Sequence, residues 1–383
     1  MTHDSHEKVT VIVHVLHHFV TGGLENGVTN IINNLPKGAY QHIIICITDY
    51  DVNFFKRVRT GNVNIHQLNK KMGKSYKWLY DIWKLLKDIK PDICHTRNLG
   101  ALEAQLPAFL AGVPCRIHGE HGWDVNDLGG CNKKYQYIRR IFKPFVHQYV
   151  ALSKEAVIYL TDKIKVCKSN IHHICNGVDV DKFRPGKNRE LLPEKFAEND
   201  SLIFGTVGRL AQVKNQTLLV SAFISLWKQQ SKIQDKLRLV IIGDGVLLPQ
   251  LKKMVASAGV EHAVWFAGRR DDVAQLMQQM DVFVLPSLAE GISNTLLEAM
   301  ASGLPYIATN VGGNADLILP QHAKTHIVNV NEEKQLVNAM EQYIDKPKEL
   351  IKDSELVRSH CHKNFSLAGM VHNYHQLYQK KNN

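Results

Sequence analysis

A chain of 383 residues, 44% of them hydrophobic, can bury a large core and divides more naturally into two domains than one. Its formal net charge of +11 points toward an anionic partner, which could be nucleic acid, a membrane surface or a phosphorylated substrate. No run approaches the ~20 consecutive apolar residues of a membrane span, and "MTHDSHEKVTVIVHVLHHF" lacks the basic region and cleavage site of a secretory signal.

From the N-terminus, short β-branched runs alternate with amphipathic stretches: "KVTVIVHVL", "QHIIICIT", "NVNIHQL", "PDICHTR", "CRIHGEHG" and "QYVALS". Runs that are apolar throughout are buried on both faces, which predicts a parallel sheet with helices on each side. Cys46, Cys94 and Cys115 fall inside these runs. Seven scattered cysteines without a C-x-x-C fit reduced thiols of a cytosolic protein better than disulfides or a metal cage. After Phe183, "RPGKNRELLPEKFAEND" is polar, holds two prolines and shows no period, so 186–200 reads as a linker. The alternation restarts with "SLIFGTVG", "LRLVIIGDG", "AVWFAG", "DVFVLPS" and "LPYIAT". The expected fold is α/β, with two Rossmann-like, doubly wound parallel-sheet domains, 1–185 and 201–365, facing an interdomain cleft. Such sheets bind ligands outside the carboxyl ends of their strands. The closing "FSLAGMVHNYHQLYQKK" has helical spacing through Leu367, Met370, Val371, Tyr374 and Leu377.

The chemistry is expected in the loops at those strand ends. In "VTGGLENG", Gly22 and Gly23 permit close backbone approach to a ligand and positive φ ahead of a helix starting near Leu24. With Gly27 they miss the G-x-G-x-x-G spacing, which suits a phosphate or sugar better than NAD. His121, in "HGEHGWD", is one of twenty histidines and by itself reads as structural. "VGRLAQVKNQTLL" places Arg209 and Lys214 at one strand end, where Arg can bind a phosphate pair bidentately and Lys acts as a point charge. Taken singly, either is equally an ordinary surface cation.

"AEGISNTLLEAMASGLP" follows a strand and sets Glu290 in a strand-to-helix loop. Ser293, Asn294 or Thr295 can cap a helix running to Ser302, which Gly303 and Pro305 stop; Thr295 and Glu298 have capping-box spacing. The free N–H groups of its first turn favour an anion such as a diphosphate, and Glu298, about one turn in, suits ribose hydroxyls. Alternatively Glu298 closes the capping box and Glu290 is a solvated loop residue. Spacing leaves both readings open.

Together, "GGLE", "NGVD" (176–179), "VGRLAQVKN", "GDGV", "FAGRRDDV" and "EGISNTLLEAMASGLPYIATNVGG" resemble glycosyltransferase family 4, the retaining GT-B sugar transferases, in the expected order over 9–313. The resemblance implies a UDP- or GDP-linked sugar donor bound mainly by the C-terminal domain. It also implies a glycan or lipid-linked acceptor hydroxyl bound mainly by the N-terminal one, as in cell-surface polysaccharide synthesis. By motif position, Arg209 and Lys214 would hold the diphosphate and Glu298 the ribose. Glu290 would touch the donor sugar, with Gly291, Ile292, Ser293, Asn294 and Thr295 completing the donor site. Gly22 and Gly23 would meet the phosphates from the first domain, and His121 would lie beside the transferred sugar. The family reacts with retention by front-face attack, so the leaving diphosphate helps deprotonate the acceptor and no enzyme nucleophile is needed. Catalysis then rests on stabilising the departing charge, and the paired-carboxylate geometry of retaining hydrolases does not apply to Glu290 and Glu298. The terminal helix, 366–383, would cross back onto the first domain. Ile292 replaces the usual aromatic and Val246 the usual proline, which loosens the donor assignment more than the reaction.

Asp49-Tyr50-Asp51 and Asp179-Val180-Asp181 each spell D-x-D, but Asp179 belongs to the "NGVD" turn and cations already neutralise phosphate; no metal or other cofactor is predicted. Asp49 could instead hold an NAD ribose, making an oxidoreductase the main rival enzyme class, against which the glycine spacing argues. "NKKYQYIRRIFKPFVHQY" (132–149) joins Lys133, Lys134, Arg139, Arg140 and Lys143 to Tyr135, Tyr137, Phe142 and Phe145 without one acid, as a basic amphipathic helix broken near Pro144. No RNA-binding signature accompanies it, so nucleic acid is disfavoured. An anionic membrane surface suits it, as does an ordinary solvated face; Lys70, Lys71, Lys74 and Lys77 add charge to the same domain. The expected location is cytoplasmic, with peripheral attachment to the inner face of the cytoplasmic membrane as the finer reading.

Overall fold

The computed structural model describes residues 9–380 except 62, 72, 74, 75, 124–126, 187, 188 and 346. Lys74 of the basic set therefore lies outside the described residues. The chain divides into two compact units, Met1–Gly177 with Leu367–Asn383, and Val178–Ser366.

The first unit is built on seven strands: β1 Thr10–Leu16, β2 Tyr40–Cys46, β3 Asn64–Gln67, β4 Ile93–Arg97, β5 Cys115–Glu120, β6 Gln148–Ala151 and β7 Ile171–His173. They pair in the order β3-β2-β1-β4-β5-β6-β7, every pair parallel. The apolar runs are filled on both faces, as their composition dictates. Val13, Val15, Ile43 and Ile45 meet Trp78, Ile82 and Leu86 on one side. Leu16, Ile44 and Cys46 meet Val28, Ile32 and Phe54 on the other. Cys46, Cys94 and Cys115 are buried free thiols. The helix Leu367–Gln379 completes this unit, burying Met370, Val371, Tyr374, Leu377 and Tyr378 on the stripe that its spacing marks out.

The second unit has six strands: β8 Leu202–Val207, β9 Leu237–Ile242, β10 Val264–Gly268, β11 Val282–Leu285, β12 Tyr306–Thr309 and β13 Ile327–Val328. Their order is β10-β9-β8-β11-β12-β13, again all parallel. Strands β7 and β13, of three and two residues, are too short to leave a period in the sequence.

Residues 178–200 belong to this unit, so the stretch expected as a linker does not hang free. Arg189 donates to the Ser201 carbonyl at 2.8 Å and pairs with Asp281 at 3.2 Å. Phe196 is buried beneath the Arg238 guanidinium. Polarity there reflects hydrogen bonding to the unit rather than freedom from it. Both D-x-D triplets bond to local backbone: Asp51 caps the helix Val52–Phe55, accepting from the Asn53 and Phe54 N–H groups, and Asp179 accepts from those of Asp181 and Lys182.

Candidate active site

In each sheet the strand order reverses once, between β1 and β4 and between β8 and β11. Loops leaving the carboxyl ends of two such strands part in opposite directions and leave a crevice. In the second unit, the loops after β8, β11 and β12 are stitched together there. The Leu288 N–H donates to the Val213 carbonyl at 2.8 Å, and the Gly313 N–H to that of Gly291 at 2.7 Å. Thr309 Oγ1 donates to the Ser287 carbonyl at 2.6 Å. Gly312, at φ +52°, passes so close that a Cβ would overlap the Glu290 carbonyl oxygen, so this position requires glycine.

Stitching brings Lys214 to Glu290: Nζ lies 2.6 Å from Oε1, which also accepts from Ser287 Oγ at 2.6 Å. The lysine side chain is 27% exposed and the glutamate 9%. The pairing was not legible from spacing, because it crosses between loops 76 residues apart; the Ser287 bond, three residues along the same loop, depends on how that loop turns. Arg209 stands exposed in the same loop as Lys214, its carbonyl held by Gln216 Nε2 at 3.1 Å.

The helix Asn294–Ala301 starts beside Glu290 and is capped by Ser293, whose Oγ accepts from the Leu296 N–H at 3.3 Å. The expected Thr295–Glu298 capping box does not form. Ser293 is extended at φ −77° and ψ 110° and takes the cap, which leaves Thr295 inside the helix with its hydroxyl 3.2 Å from Ser293 Oγ. Half-buried Glu298 lies one turn in, and Ile292 is buried, filling core volume.

In the first unit, Gly22 precedes the helix Gly23–Asn34 but is extended, at φ −161°, so the expected positive φ is absent. Glu25 occupies that first turn, buried, and pairs with His18 Nε2 at 3.3 Å. Its hydrogen bond raises the His18 pKa. A Cβ on Gly22 would strike this carboxylate. The helix start is thus already met by an acid of its own, and an arriving phosphate would have to share it.

His121 follows β5. Its N–H donates to Asn98 Oδ1 at 2.7 Å, and its ring lies over Gly119, where a Cβ would stand 2.5 Å from His121 Nε2 and 3.4 Å from His95 Nε2. His121 Nε2 is buried without a partner among the described residues. Burial first, then Arg97 and His118, hold its pKa well below the ordinary histidine value. Beneath it runs a buried polar layer that sequence reading missed. His42 Nδ1 meets His14 Nε2 at 3.0 Å, His14 Nδ1 meets Arg97 at 3.1 Å, and His95 Nδ1 meets Arg97 at 3.3 Å and the Tyr378 hydroxyl at 2.9 Å. The available signal was polar residues at inward positions of apolar strands, in "IVHVL" and "ICHTR".

The basic helix Lys133–Phe142 differs from its expected use. Arg139 is 5% exposed and bidentate on Glu120, with Nε to Oε1 at 2.6 Å and Nη2 to Oε2 at 3.1 Å, and it reaches Asp127 at 3.4 Å. Arg139 and His118 depress the Glu120 pKa despite its burial. Arg140 donates to the Lys163 carbonyl at 2.8 and 2.6 Å, and Lys143 to that of Lys165 at 3.0 Å. Arg139 faces inward because β5 ends in a buried acid; it is not part of a solvated basic face. Lys133 and Lys134 remain exposed, near exposed Tyr137 and Ile141.

Among the described residues, His322, His326 and Asp353 form a group that could hold a metal ion. The two rings stack at 4.0 Å and 16°, so their lone pairs run side by side instead of converging, and each Nε2 faces its own Asp353 oxygen at 3.4 and 3.3 Å. Two imidazoles sharing one carboxylate describe this group better than a tetrahedral ion site.

The profile described as Glycosyltransferase Family 4 matches residues 21–182, and that described as Glycosyl transferases group 1 matches 188–356. The chain is 31% identical over 323 residues to the Escherichia coli UDP-Gal:alpha-D-GlcNAc-diphosphoundecaprenol alpha-1,3-galactosyltransferase, covering 81% of this chain and 82% of the relative. It is 24% identical to a GDP-mannose-dependent alpha-mannosyltransferase of Mycobacterium tuberculosis, covering 78% of each. Among solved structures, Anabaena HepE in complex with UDP superposes with a TM-score of 0.79 at 16% identity, covering 97% of this chain and 100% of that one. No helix among the described residues is long and apolar enough to cross a membrane.

Proposed function

Because the chain belongs to glycosyltransferase family 4, and is a glycosyltransferase of the GT-B fold, we propose that the Lys214–Glu290 junction is the diphosphate end of its nucleotide-sugar site. The observation that carries this reading is the ion pair itself: a cation beside a capped helix start, at the strand reversal of the second unit. A diphosphate arriving there would displace Glu290 from Lys214. The lysine, Arg209 and the first-turn N–H groups of the Asn294–Ala301 helix would then carry the leaving charge, while the freed Glu290 turns to the donor sugar. Glu298 takes the ribose, and the backbone at Gly291, Ile292, Ser293, Asn294 and Thr295 closes around the donor. Gly22 and Gly23 meet the phosphates, and His121 faces a hydroxyl of the transferred sugar.

The reaction is transfer with retention by front-face attack, the departing phosphate oxygen taking the acceptor proton. The E. coli relative uses UDP-Gal and a GlcNAc-diphosphoundecaprenol, and the mycobacterial one GDP-mannose. They support a UDP- or GDP-linked donor and a lipid-linked glycan acceptor. Such an acceptor would bring the protein to an anionic membrane surface, with Lys133 and Lys134 as its contacts.

Calorimetry with a panel of UDP- and GDP-sugars tests the donor site. Binding of one of them, weakened at least tenfold in Lys214→Ala and Glu298→Ala, is expected. Equal binding by both variants and the parent would refute it. Anomeric configuration of the product, read by NMR, decides retention.

A further inference from the structure

Arg97 is 1% exposed, and among the described residues no carboxylate pairs with it. A buried cation without an anion is costly, and its charge acts on everything nearby. Its hydrogen bonds go to two histidine rings, at 3.1 and 3.3 Å, and to the His95 carbonyl at 3.5 Å. A guanidinium only donates, so the ring nitrogens it meets must be bare acceptors. Nη1 faces His14 Nδ1 and Nη2 faces His95 Nδ1. Each ring therefore carries its hydrogen on Nε2. In His14 that hydrogen goes to His42 Nδ1. In His95 it points toward the space over Gly119, into which His121 Nε2 also turns.

We infer that Arg97 is a positioning residue of the transfer site: its buried guanidinium fixes the tautomers of His14 and His95, which turns the His95 Nε2–H toward the space shared with His121, and it adds its positive charge to the burial that disfavours an imidazolium there. A neutral His121 can exchange a hydrogen bond with a sugar hydroxyl, whereas an imidazolium could only donate and would repel charge separation in an oxocarbenium-like sugar. This consequence rests on the reading of His121 given above; the effect of Arg97 on the rings does not.

The other groups facing His121 sharpen the inference. Glu120, its chain neighbour, would favour the protonated ring, but Arg139 occupies both oxygens of that carboxylate. His118 on β5 and His95 on β4 contribute no negative charge. Arg97 is thus the one fixed charge near the ring whose effect is left uncompensated among the described residues. Tyr378, from the helix Leu367–Gln379, closes the layer on His95 Nδ1. The Gly119 position explains why no side chain separates the two imidazoles: a Cβ there would collide with His121.

Histidine titration by NMR on the ligand-free protein tests the inference without any substrate. In the parent protein, His14 and His95 should show the Nε2–H tautomer in long-range nitrogen–proton spectra, and His121 should stay neutral well below the ordinary histidine midpoint. Arg97→Met should raise the His121 midpoint by about one to two pH units, and Arg97→Lys should keep most of the depression. The acid limb of the kcat profile should move with the midpoint in Arg97→Met. A parent His121 that titrates near its ordinary value overturns the inference even if no variant folds, as does an Arg97→Met midpoint equal to the parent's. Full turnover in His121→Ala would overturn the role given to His121, while the titrations would still decide for or against Arg97.

Discussion

Separating Lys214 from Glu290 should have opposite effects on nucleotide affinity according to which partner is removed. In the unliganded protein the pair is made at 2.6 Å, with the glutamate 9% and the lysine 27% exposed. It lies between a surface bridge, worth about 0–1 kcal/mol, and a buried one, whose breakage costs about 3–5. We take about 1–1.5 kcal/mol as what a diphosphate must displace. Glu290→Gln keeps the shape and an oxygen for Ser287 but releases the lysine, so UDP or GDP should bind about five- to tenfold more tightly. Turnover should nevertheless fall, since the side chain assigned to the sugar has changed. Lys214→Ala removes a charge from the leaving group and should weaken nucleotide binding at least tenfold and lower kcat by about 10²–10³. It also leaves Glu290 facing only Ser287 in this pair's place, which should lower the ligand-free melting temperature by a few degrees. Calorimetry with free UDP and GDP, and thermal unfolding without ligand, read the two effects separately. Weaker nucleotide binding by Glu290→Gln would show that the pair does not compete with the ligand, and the assignment of the junction to the diphosphate would fall.

Ser293→Ala should cost about 1 kcal/mol in urea unfolding through loss of the cap, whereas Thr295→Ala should cost less than half of that. Gly312→Ala should destabilise by more than 1 kcal/mol, since its Cβ meets the Glu290 carbonyl at positive φ; an unchanged urea midpoint would contradict the stitched loops. Arg139→Met should destabilise the protein by about 3–5 kcal/mol while liposome binding per folded molecule stays unchanged. Lys133→Glu combined with Lys134→Glu should do the reverse in sedimentation with anionic vesicles at low salt, and equal sedimentation would remove these lysines from any membrane surface. Burial and Arg97 pull the His42 pKa down to about 4. The unfolded chain takes up that proton near pH 6.5 and the folded one does not, so stability is full above 6.5 and falls by about 1.4 kcal/mol per pH unit between 6.5 and 4. From pH 7 to 5 this amounts to about 2 kcal/mol, and His42→Gln should flatten that part of the urea midpoint curve.

How much of this was legible in the sequence depends on whether a property is local. Among the described residues, eleven of the thirteen strands announce themselves as apolar runs, and β7 and β13 do not because two or three residues carry no period. Ser293 was among three candidate caps, and choosing it required the backbone angles that decide which residue stands just outside the helix. Arg209, Lys214 and Glu290 could each be assigned to a strand-end loop, but that these loops are neighbours follows from the strand order, and the bond between the last two depends on how the loops fold onto each other. At Gly22 the local reading ran the other way, since the freedom of glycine suggested positive φ where the chain is simply extended beside Glu25.

Charge was the property least legible from composition. A net +11 suggests a surface looking for anions, yet four of the arginines are buried, Arg97 and Arg139 most deeply. Arg139 offsets Glu120 and Asp127 and so secures the end of β5, while Arg97, with no acid to offset among the described residues, adds to burial in disfavouring the charged form of four histidines around it. Burying such a cation in a sheet already rich in apolar contacts adds nothing obvious to stability, since an apolar residue of similar volume would fill the space at lower cost. Its presence makes physical sense where a fixed positive charge is useful, next to an imidazole proposed to work uncharged at the strand end proposed for the sugar.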